Sequence, residues 1–137
     1  RLIIPCGSCN SVVSILYGLT IYPKENIKEI IMMGIGNYGS SNIGYVERRL
    51  KNMTKIAEGV FDFSYKAKPG FKHKLIHYNL NGSGYCKYTD LMPEKVEDIV
   101  FHPRYEGKCI RYIKQNLMKY WNTNTLFWIV GSDINYD

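Results

Sequence analysis

The sequence predicts an α/β fold in which helices flank an open, mostly parallel sheet. Two apolar runs, residues 2–4 and 29–36, have the pattern of buried strands, and an amphipathic helical pattern lies between them. A strand, a helix and a strand at this spacing form a βαβ unit with parallel strands and a right-handed crossover. A third apolar run, residues 126–130, has the composition of a central parallel strand. We therefore treat residues 1–137 as a single α/β domain.

The composition is that of a soluble globular domain. Of the 137 residues, 45% are hydrophobic and 22% are charged, which excludes the disordered class and is enough for a core. No apolar run approaches the roughly 20 residues of a membrane span, and no signal-peptide pattern is present. We expect a cytoplasmic protein without membrane contact. Because the chain opens inside a strand without Met, we also expect that an upstream part is missing.

The first strand, residues 2–4, is expected to close at Pro5 and to lead into a polar loop, Gly7-Ser8-Cys9-Asn10-Ser11. Ser11 is expected to cap a helix. The apolar residues of that helix are Val12, Val13, Ile15, Leu16 and Leu19. The N–H groups at a helix N-terminus are unpaired and the dipole is positive there, so the loop can hold a phosphate dianion. An ordinary βα turn uses the same residues, so both interpretations stay open.

The middle of the chain continues the alternation of helix and strand. A second helix is expected from about residue 41 to residue 57 with Gly59 as its stop, followed by an irregular stretch over 60–72. Residues 73–78 have the pattern of a strand, and a glycine-rich loop then ends at Tyr85. Residues 92–98 leave room for about two helical turns, and a last helix over about 107–120 precedes the final strand.

Tyr105 and Glu106 follow a short apolar run and precede this last helix. They are therefore expected at a strand-to-helix turn, where open α/β sheets build ligand sites. A carboxylate beside a phenol suits acid–base chemistry. A helix dipole also favours an acidic residue in the first turn, and spacing alone favours that structural interpretation of Glu106.

Three motifs carry a family resemblance. Residues 102–108, His-Pro-Arg-Tyr-Glu-Gly-Lys, resemble the D-P-V-Y-E/T-G-K segment of pyridoxal-phosphate enzymes of fold type II. The closest branch is that of 1-aminocyclopropane-1-carboxylate deaminase and D-cysteine desulfhydrase. Residues 125–131 resemble that branch's final V-L-F-x-H-T-G strand, and residues 4–11 resemble its phosphate loop, with Cys9 and Asn10 where many relatives have glycine. The chain then corresponds to the C-terminal part of the large domain.

The resemblance implies pyridoxal phosphate as cofactor and roles for specific residues. Gly7, Ser8, Cys9, Asn10 and Ser11 would bind the phosphate. Glu106 would face the pyridine nitrogen, and Tyr105 and Tyr85 would be acid–base or orienting groups. The chain would be part of a lyase or deaminase that acts on a small amino acid by Cα carbanion chemistry.

The same resemblance implies that one component comes from elsewhere. In the family, the lysine that forms the Schiff base lies far upstream of the phosphate loop, and Lys108 does not correspond to it. An upstream or companion polypeptide is therefore expected to supply this lysine and the missing sheet strands. We expect the chain alone not to be a working enzyme, and we expect a homo-oligomer.

Other functions stay open. The net charge of +6 permits contact with nucleic acid, so the chain could belong to a cofactor-dependent pathway that modifies a base. It could also be a binding module that has lost catalysis. The Cys6-x-x-Cys9 pair could be redox-active, but no second close pair supports a zinc site, and we assign no metal. We expect all four cysteines to be reduced.

Overall fold

The computed structural model describes residues 1–22, 24–36, 43–61 and 74–129. The elements are β1 (Leu2–Cys6), α1 (Asn10–Ile21), β2 (Glu29–Gly34), α2 (Ile43–Phe61), β3 (Lys74–Asn79), β4 (Glu94–Val96), β5 (Ile99–Phe101), α3 (Glu106–Asn116), a 3₁₀ turn (Met118–Tyr120) and β6 (Leu126–Phe127). A parallel sheet has the order β3-β2-β1-β6, and β4 and β5 form a separate antiparallel hairpin. The predicted α/β class is confirmed. None of the helices within these ranges is long and apolar enough to cross a membrane.

The alternation of side chains along β1 divides the core into two layers. Leu2 and Ile4 point to one face and belong to a buried cluster with residues of α1 and with Val46 of α2. Ile3 points to the other face, where Cys109 and Ile113 of α3 complete a second cluster. Successive side chains of a strand point to opposite faces, so α1 and α2 cover one face of the sheet and α3 covers the other.

The order of the strands reverses at β1. The chain proceeds from β1 to β2 and β3 on one side, and it returns through α3 to β6 on the other side. In open α/β sheets, ligands bind at such a switch point, in the crevice beyond the carboxyl ends of the strands. The fold therefore directs attention to the loop after β1 and to whatever element faces it.

The start of α3 lies at this carboxyl edge. The ring of Tyr120, just after α3, lies 4.5 Å from the guanidinium of Arg1, which precedes β1. The C-terminal end of α3 is therefore at the amino edge of the sheet, and its first residue, Glu106, is at the opposite edge. As a result, α1 and α3 both direct their positive N-terminal ends toward the carboxyl edge, from opposite faces.

Strand β1 continues through Pro5, where the sequence predicted its end. The carbonyls of Arg1 and Ile3 accept hydrogen bonds from Leu126 of β6 and from Trp128 just after it. The carbonyl of Cys6 accepts one from Ile35, which follows β2. This alternation directs the nitrogen of Pro5 toward the β6 side, beyond the last residue of that short strand. Proline therefore costs no ladder hydrogen bond here, although it is normally excluded from central strands.

Residues 92–98 do not form the predicted helix. Glu97 adopts a positive φ of 52°, which turns the chain so that β4 and β5 pair as a hairpin. Glu94 then accepts hydrogen bonds from Arg111 Nε at 2.7 Å and from Lys114 Nζ at 2.8 Å. Burial opposes ionisation of Glu94, but these bonds outweigh it and lower the pKa of its carboxyl. The hairpin is thereby fastened to α3.

Three other predictions on elements need correction or lie outside the description. Gly59 does not stop α2, which runs to Phe61. The last strand is two residues long and is at the edge of the described sheet rather than at its centre. The predicted irregular stretch lies outside the described residues from 62 onward, as do residues 41, 73 and 130.

Gly107 allows α3 to begin close to the hairpin. A β-carbon at this position would overlap the carbonyl oxygen of Met92 and lie 3.2 Å from that of His102. Both contacts are with backbone atoms, which cannot rotate away. The residue therefore permits the close approach that places Tyr105 and Glu106 at the sheet edge.

We predict that Gly107→Ala lowers the free energy of unfolding by about 1–3 kcal/mol, the range for overpacked sites. Gly18→Ala is the matched control, because Gly18 lies within α1 and a β-carbon there meets no atom within 4 Å. Alanine should stabilise that helix by roughly 0.5–1 kcal/mol. Urea unfolding monitored by circular dichroism measures both. Equal effects of the two substitutions would contradict the close packing at Gly107.

Candidate active site at the carboxyl edge of the sheet

The loop after β1 presents an open helix N-terminus. Helix α1 begins at Asn10, not after Ser11, and Cys9 precedes it in the left-handed conformation with φ 65°. No side chain caps this end, and its first turn contains no acidic residue. A β-carbon built on Gly7 meets no atom within 4 Å. The loop therefore leaves space and a positive helix end that suit an anion.

Arg49 of α2 adds a positive charge to this loop. Its Nη1 donates a hydrogen bond of 2.7 Å to the carbonyl of Ser8, and its guanidinium lies 5.6 Å from the centre of the Tyr45 ring. Arg49 is half-buried, whereas the adjacent Arg48 is exposed. Sequence analysis missed Arg49. The available signal was its spacing of four residues from Tyr45, which places both on the same side of the helix.

The prediction that all four cysteines are reduced is wrong for one pair. Cys6 and Cys9 form a disulfide, with their Cα atoms 4.9 Å apart. This bond joins Cys9, the residue before α1, to Cys6 at the end of β1. Cys9 has a left-handed backbone conformation, which glycine adopts most readily. Cys86 and Cys109 are free and buried, and burial raises the pKa of both thiols. Within the described ranges, no group of three or more potential ligands is placed to hold a metal ion.

The second part of the site is the first turn of α3. The carbonyl of His102 accepts hydrogen bonds from the N–H groups of Tyr105, at 3.2 Å, and Gly107, at 2.9 Å. This turn positions Glu106, whose side chain is only 1% exposed. A buried carboxylate at a positive helix end is electrostatically favourable. The placement suits the structural interpretation of Glu106.

Tyr105 belongs to an aromatic cluster beside this turn. Its ring centre lies 4.4 Å from that of His102, and its hydroxyl is 3.4 Å from the hydroxyl of Tyr88. Tyr88 comes from the loop after β3 and was not among the predicted site residues, because an isolated tyrosine in a loop carries no motif. Two phenols at this separation can share a proton or orient one polar group together.

Lys108 holds the Tyr88 loop in place. The residue is fully buried, and its Nζ donates hydrogen bonds of 2.7 Å to the carbonyls of Lys87 and Tyr88. Burial lowers the pKa of this amine. The two acceptors nevertheless favour the ammonium form, which is the better donor. Lys108 therefore fixes the backbone from which Tyr88 reaches Tyr105.

The structure does not bring Tyr85 to this cluster. The Tyr85 hydroxyl donates to Oε1 of Gln115 at 2.7 Å, and its ring packs against Tyr112 with centres 4.8 Å apart. Burial raises the pKa of this phenol. Gln115 is nine residues beyond Glu106, or about 13 Å along the helix. The predicted roles of Tyr85, Tyr105 and Glu106 remain predictions.

Comparisons with known proteins found one curated relative. No protein-family model and no solved structure matches the chain. The chain is 34% identical over 169 aligned residues to the O-seryl-dTMP PLP-dependent decarboxylase of Salmonella phage ViI. The match includes 96% of this chain but 39% of the relative. The chain therefore spans about two fifths of the length of the curated relative that it matches.

Proposed function

We propose that this chain is part of a pyridoxal-phosphate-dependent decarboxylase that acts on an amino acid joined to a nucleotide. The observation that carries the proposal is the 34% identity across 96% of the chain to a protein with that name. The sequence predicted a lyase or deaminase that acts on a small amino acid, and the proposed reaction is instead a decarboxylation. Among the alternatives from the sequence, a role in nucleic-acid modification gains support, because the relative's name specifies a seryl derivative of dTMP.

The geometry of the carboxyl edge supports this cofactor. The open N-terminus of α1, the space at Gly7 and the guanidinium of Arg49 suit a phosphate dianion. Residues Gly7, Ser8, Cys9, Asn10 and Ser11 would hold it, as predicted from the sequence. Glu106 would stand opposite the pyridine nitrogen and favour its protonated form, since a nearby carboxylate stabilises a positive charge. Fold type II and the deaminase branch remain proposals.

The chemistry requires that one bond be broken and one proton be supplied. The bond between Cα and the carboxyl carbon breaks, CO₂ leaves, and a proton takes its place on Cα. Pyridoxal phosphate supplies the electron sink for the pair left on Cα. Tyr105 would hold the proton for Cα, with Tyr88 as its hydrogen-bond neighbour and Lys108 as the residue that positions Tyr88. Burial of Glu106 keeps its carboxylate away from water, which strengthens its effect on a facing charge.

The direct test is release of labelled CO₂. The assembled protein, purified from its source with pyridoxal phosphate, is incubated with O-seryl-dTMP that carries ¹³C in the seryl carboxyl group. We expect labelled CO₂ and a nucleotide product lighter by that group. Ammonia release without CO₂ would restore the deaminase prediction. No turnover, together with no retained cofactor, would favour the binding module.

The same assay tests Glu106. Glu106→Gln removes the carboxylate at nearly unchanged volume, and we expect CO₂ release to fall at least about tenfold, equivalent to about 1.4 kcal/mol of lost stabilisation. Glu97→Gln is the control, because Glu97 is exposed at the hairpin turn and should leave the rate unchanged. A Glu106→Gln protein with the wild-type rate would remove Glu106 from the proposed site.

Arg49 and Arg48 provide a matched pair for cofactor binding. Hydrogen bonds to charged groups contribute about 1.5–3 kcal/mol, so Arg49→Gln should weaken pyridoxal-phosphate affinity roughly ten- to hundredfold. Arg48→Gln removes the same charge from the exposed neighbouring position and should change affinity little. Absorbance titration of the assembled protein measures both constants without any turnover. Equal weakening by the two variants would indicate a general charge effect instead of a phosphate site.

A further inference from the structure

We propose that the disulfide between Cys6 and Cys9 is a redox-sensitive bond that holds the loop after β1 in the conformation that binds a phosphate group. A dithiol that reduces this bond would lower the affinity of the loop for phosphate, and bound phosphate would in turn slow the reduction. The identity of the phosphate ligand rests on the proposed function, whereas the bond and the two residues that it joins do not depend on it.

The disulfide connects a fixed point of the sheet to the start of a helix. Cys6 is the last residue of β1, and its carbonyl accepts a hydrogen bond of 3.0 Å from the N–H group of Ile35, just after β2. Cys9 precedes α1, and its carbonyl accepts a hydrogen bond of 2.9 Å from the N–H group of Val13 within that helix. The bond therefore restricts the path of residues 7 and 8, which connect the strand to the helix.

The backbone of Cys9 is the part of the loop that the bond must hold. Its φ of 65° lies in the left-handed region, which is unfavourable for a residue with a β-carbon and freely available to glycine. Many of the proteins that this chain resembles have glycine at this position. Without the disulfide, Cys9 would favour an extended or right-handed conformation. That change would turn the N–H groups of residues 9 and 10 relative to each other.

The direction of these N–H groups determines the affinity for an anion. The unpaired N–H groups at the start of α1 are the donors that the loop offers to phosphate. A loop that is already ordered before binding loses less conformational freedom when the ligand arrives. The disulfide therefore raises the affinity for phosphate. By thermodynamic linkage, phosphate favours the disulfide over the dithiol by the same factor.

Burial of the two sulfur-bearing side chains makes reduction depend on opening of the loop. Cys6 is fully buried and Cys9 is 2% exposed, and both belong to the apolar cluster that includes α1. Thiol–disulfide exchange requires direct attack of a thiolate on one of the sulfur atoms. The reaction breaks the Cys6–Cys9 bond, gives two electrons and two protons to the pair and converts the dithiol into a disulfide. A phosphate that holds the loop against α1 blocks this attack.

The rate of reduction tests the proposal. The assembled protein is purified without reductant, freed of cofactor and treated with dithiothreitol, and free thiols are trapped with iodoacetamide. The tryptic peptide that spans residues 2–24 contains both cysteines, so its mass gives their redox state. Inorganic phosphate at roughly ten times its dissociation constant should slow reduction about tenfold relative to chloride of equal ionic strength. Equal rates, or trapped thiols before dithiothreitol is added, would overturn the proposal.

A cofactor arm of the same experiment separates this proposal from the proposed function. Pyridoxamine 5′-phosphate has the cofactor's phosphate but no aldehyde, so it does not react with the dithiol. Protection by both ligands would support both proposals. Protection by inorganic phosphate alone would support the redox-sensitive bond and contradict the cofactor site at this loop. Protection by neither ligand would overturn the redox-sensitive bond.

Two double variants test whether the backbone of residue 9 is what the bond holds. Cys6→Ala with Cys9→Ala and Cys6→Ala with Cys9→Gly both lack the disulfide, and they differ only in the β-carbon of residue 9. Because only glycine adopts the left-handed conformation freely, the glycine variant should bind inorganic phosphate about tenfold more tightly than the alanine variant. Isothermal titration calorimetry measures both constants. Equal affinities would overturn the proposal, because a bond that only stabilises the fold would not distinguish the two variants.

Discussion

The pairing of β1 with β2 on one side and with β6 on the other is the constraint on which the rest of the structure depends. It places β1 in the interior of the sheet, so its even and odd side chains must each be covered by a separate helical layer. Because the strands are parallel, the helices that follow them start at the same edge, and because the strand order reverses at β1, these helices lie on opposite faces. The loop after β1 and the first turn of α3 therefore face the same crevice, and both bring positive helix ends to it.

Burial of charge at this crevice imposes a definite arrangement on the neighbouring loop. An ammonium group with no exposure is tolerated only with good acceptors, and Lys108 finds two in the backbone of residues 87 and 88. Loss of either hydrogen bond would leave a buried donor less well satisfied, so movement of the loop away from Lys108 is unfavourable. Because the loop is held in this way, the hydroxyl of Tyr88 lies in contact with that of Tyr105. The hydrogen bonds of Lys108 thus satisfy its own buried amine and also position Tyr88 for the proposed acid–base pair with Tyr105.

The sequence predicted the parts of the fold that depend on periodicity. The βαβ unit, its parallel pairing and the position of α3 follow from the spacing of apolar residues, and the structure confirms them. The sequence could not show that Pro5 lies within β1, because this depends on the short length of β6. Nor could it distinguish a helix from a hairpin over residues 92–98, where the positive φ of Glu97 decides the outcome. Local pattern cannot encode such tertiary effects.

The sequence predicted only those parts of the candidate site that lie within a recognisable sequence motif. The loop after β1 and the turn at Glu106 were found from their sequences, whereas Arg49 and Tyr88 reach the site from distant elements. The disulfide between Cys6 and Cys9 also required coordinates, since spacing allows a free or a bonded pair equally. These residues connect the loop after β1 and the first turn of α3 to their surroundings.

Hydrogen–deuterium exchange of the assembled protein, with and without added pyridoxal phosphate, tests most directly whether the carboxyl edge is the cofactor site. We predict slower exchange with the cofactor at the amides of residues 9–13 and 105–108, which form the first turns of the two helices that face the crevice. Residues 118–126, at the amino edge, should exchange at unchanged rates. Cofactor binding that protects the amino edge, or that leaves both helix starts unchanged, would contradict the proposed site.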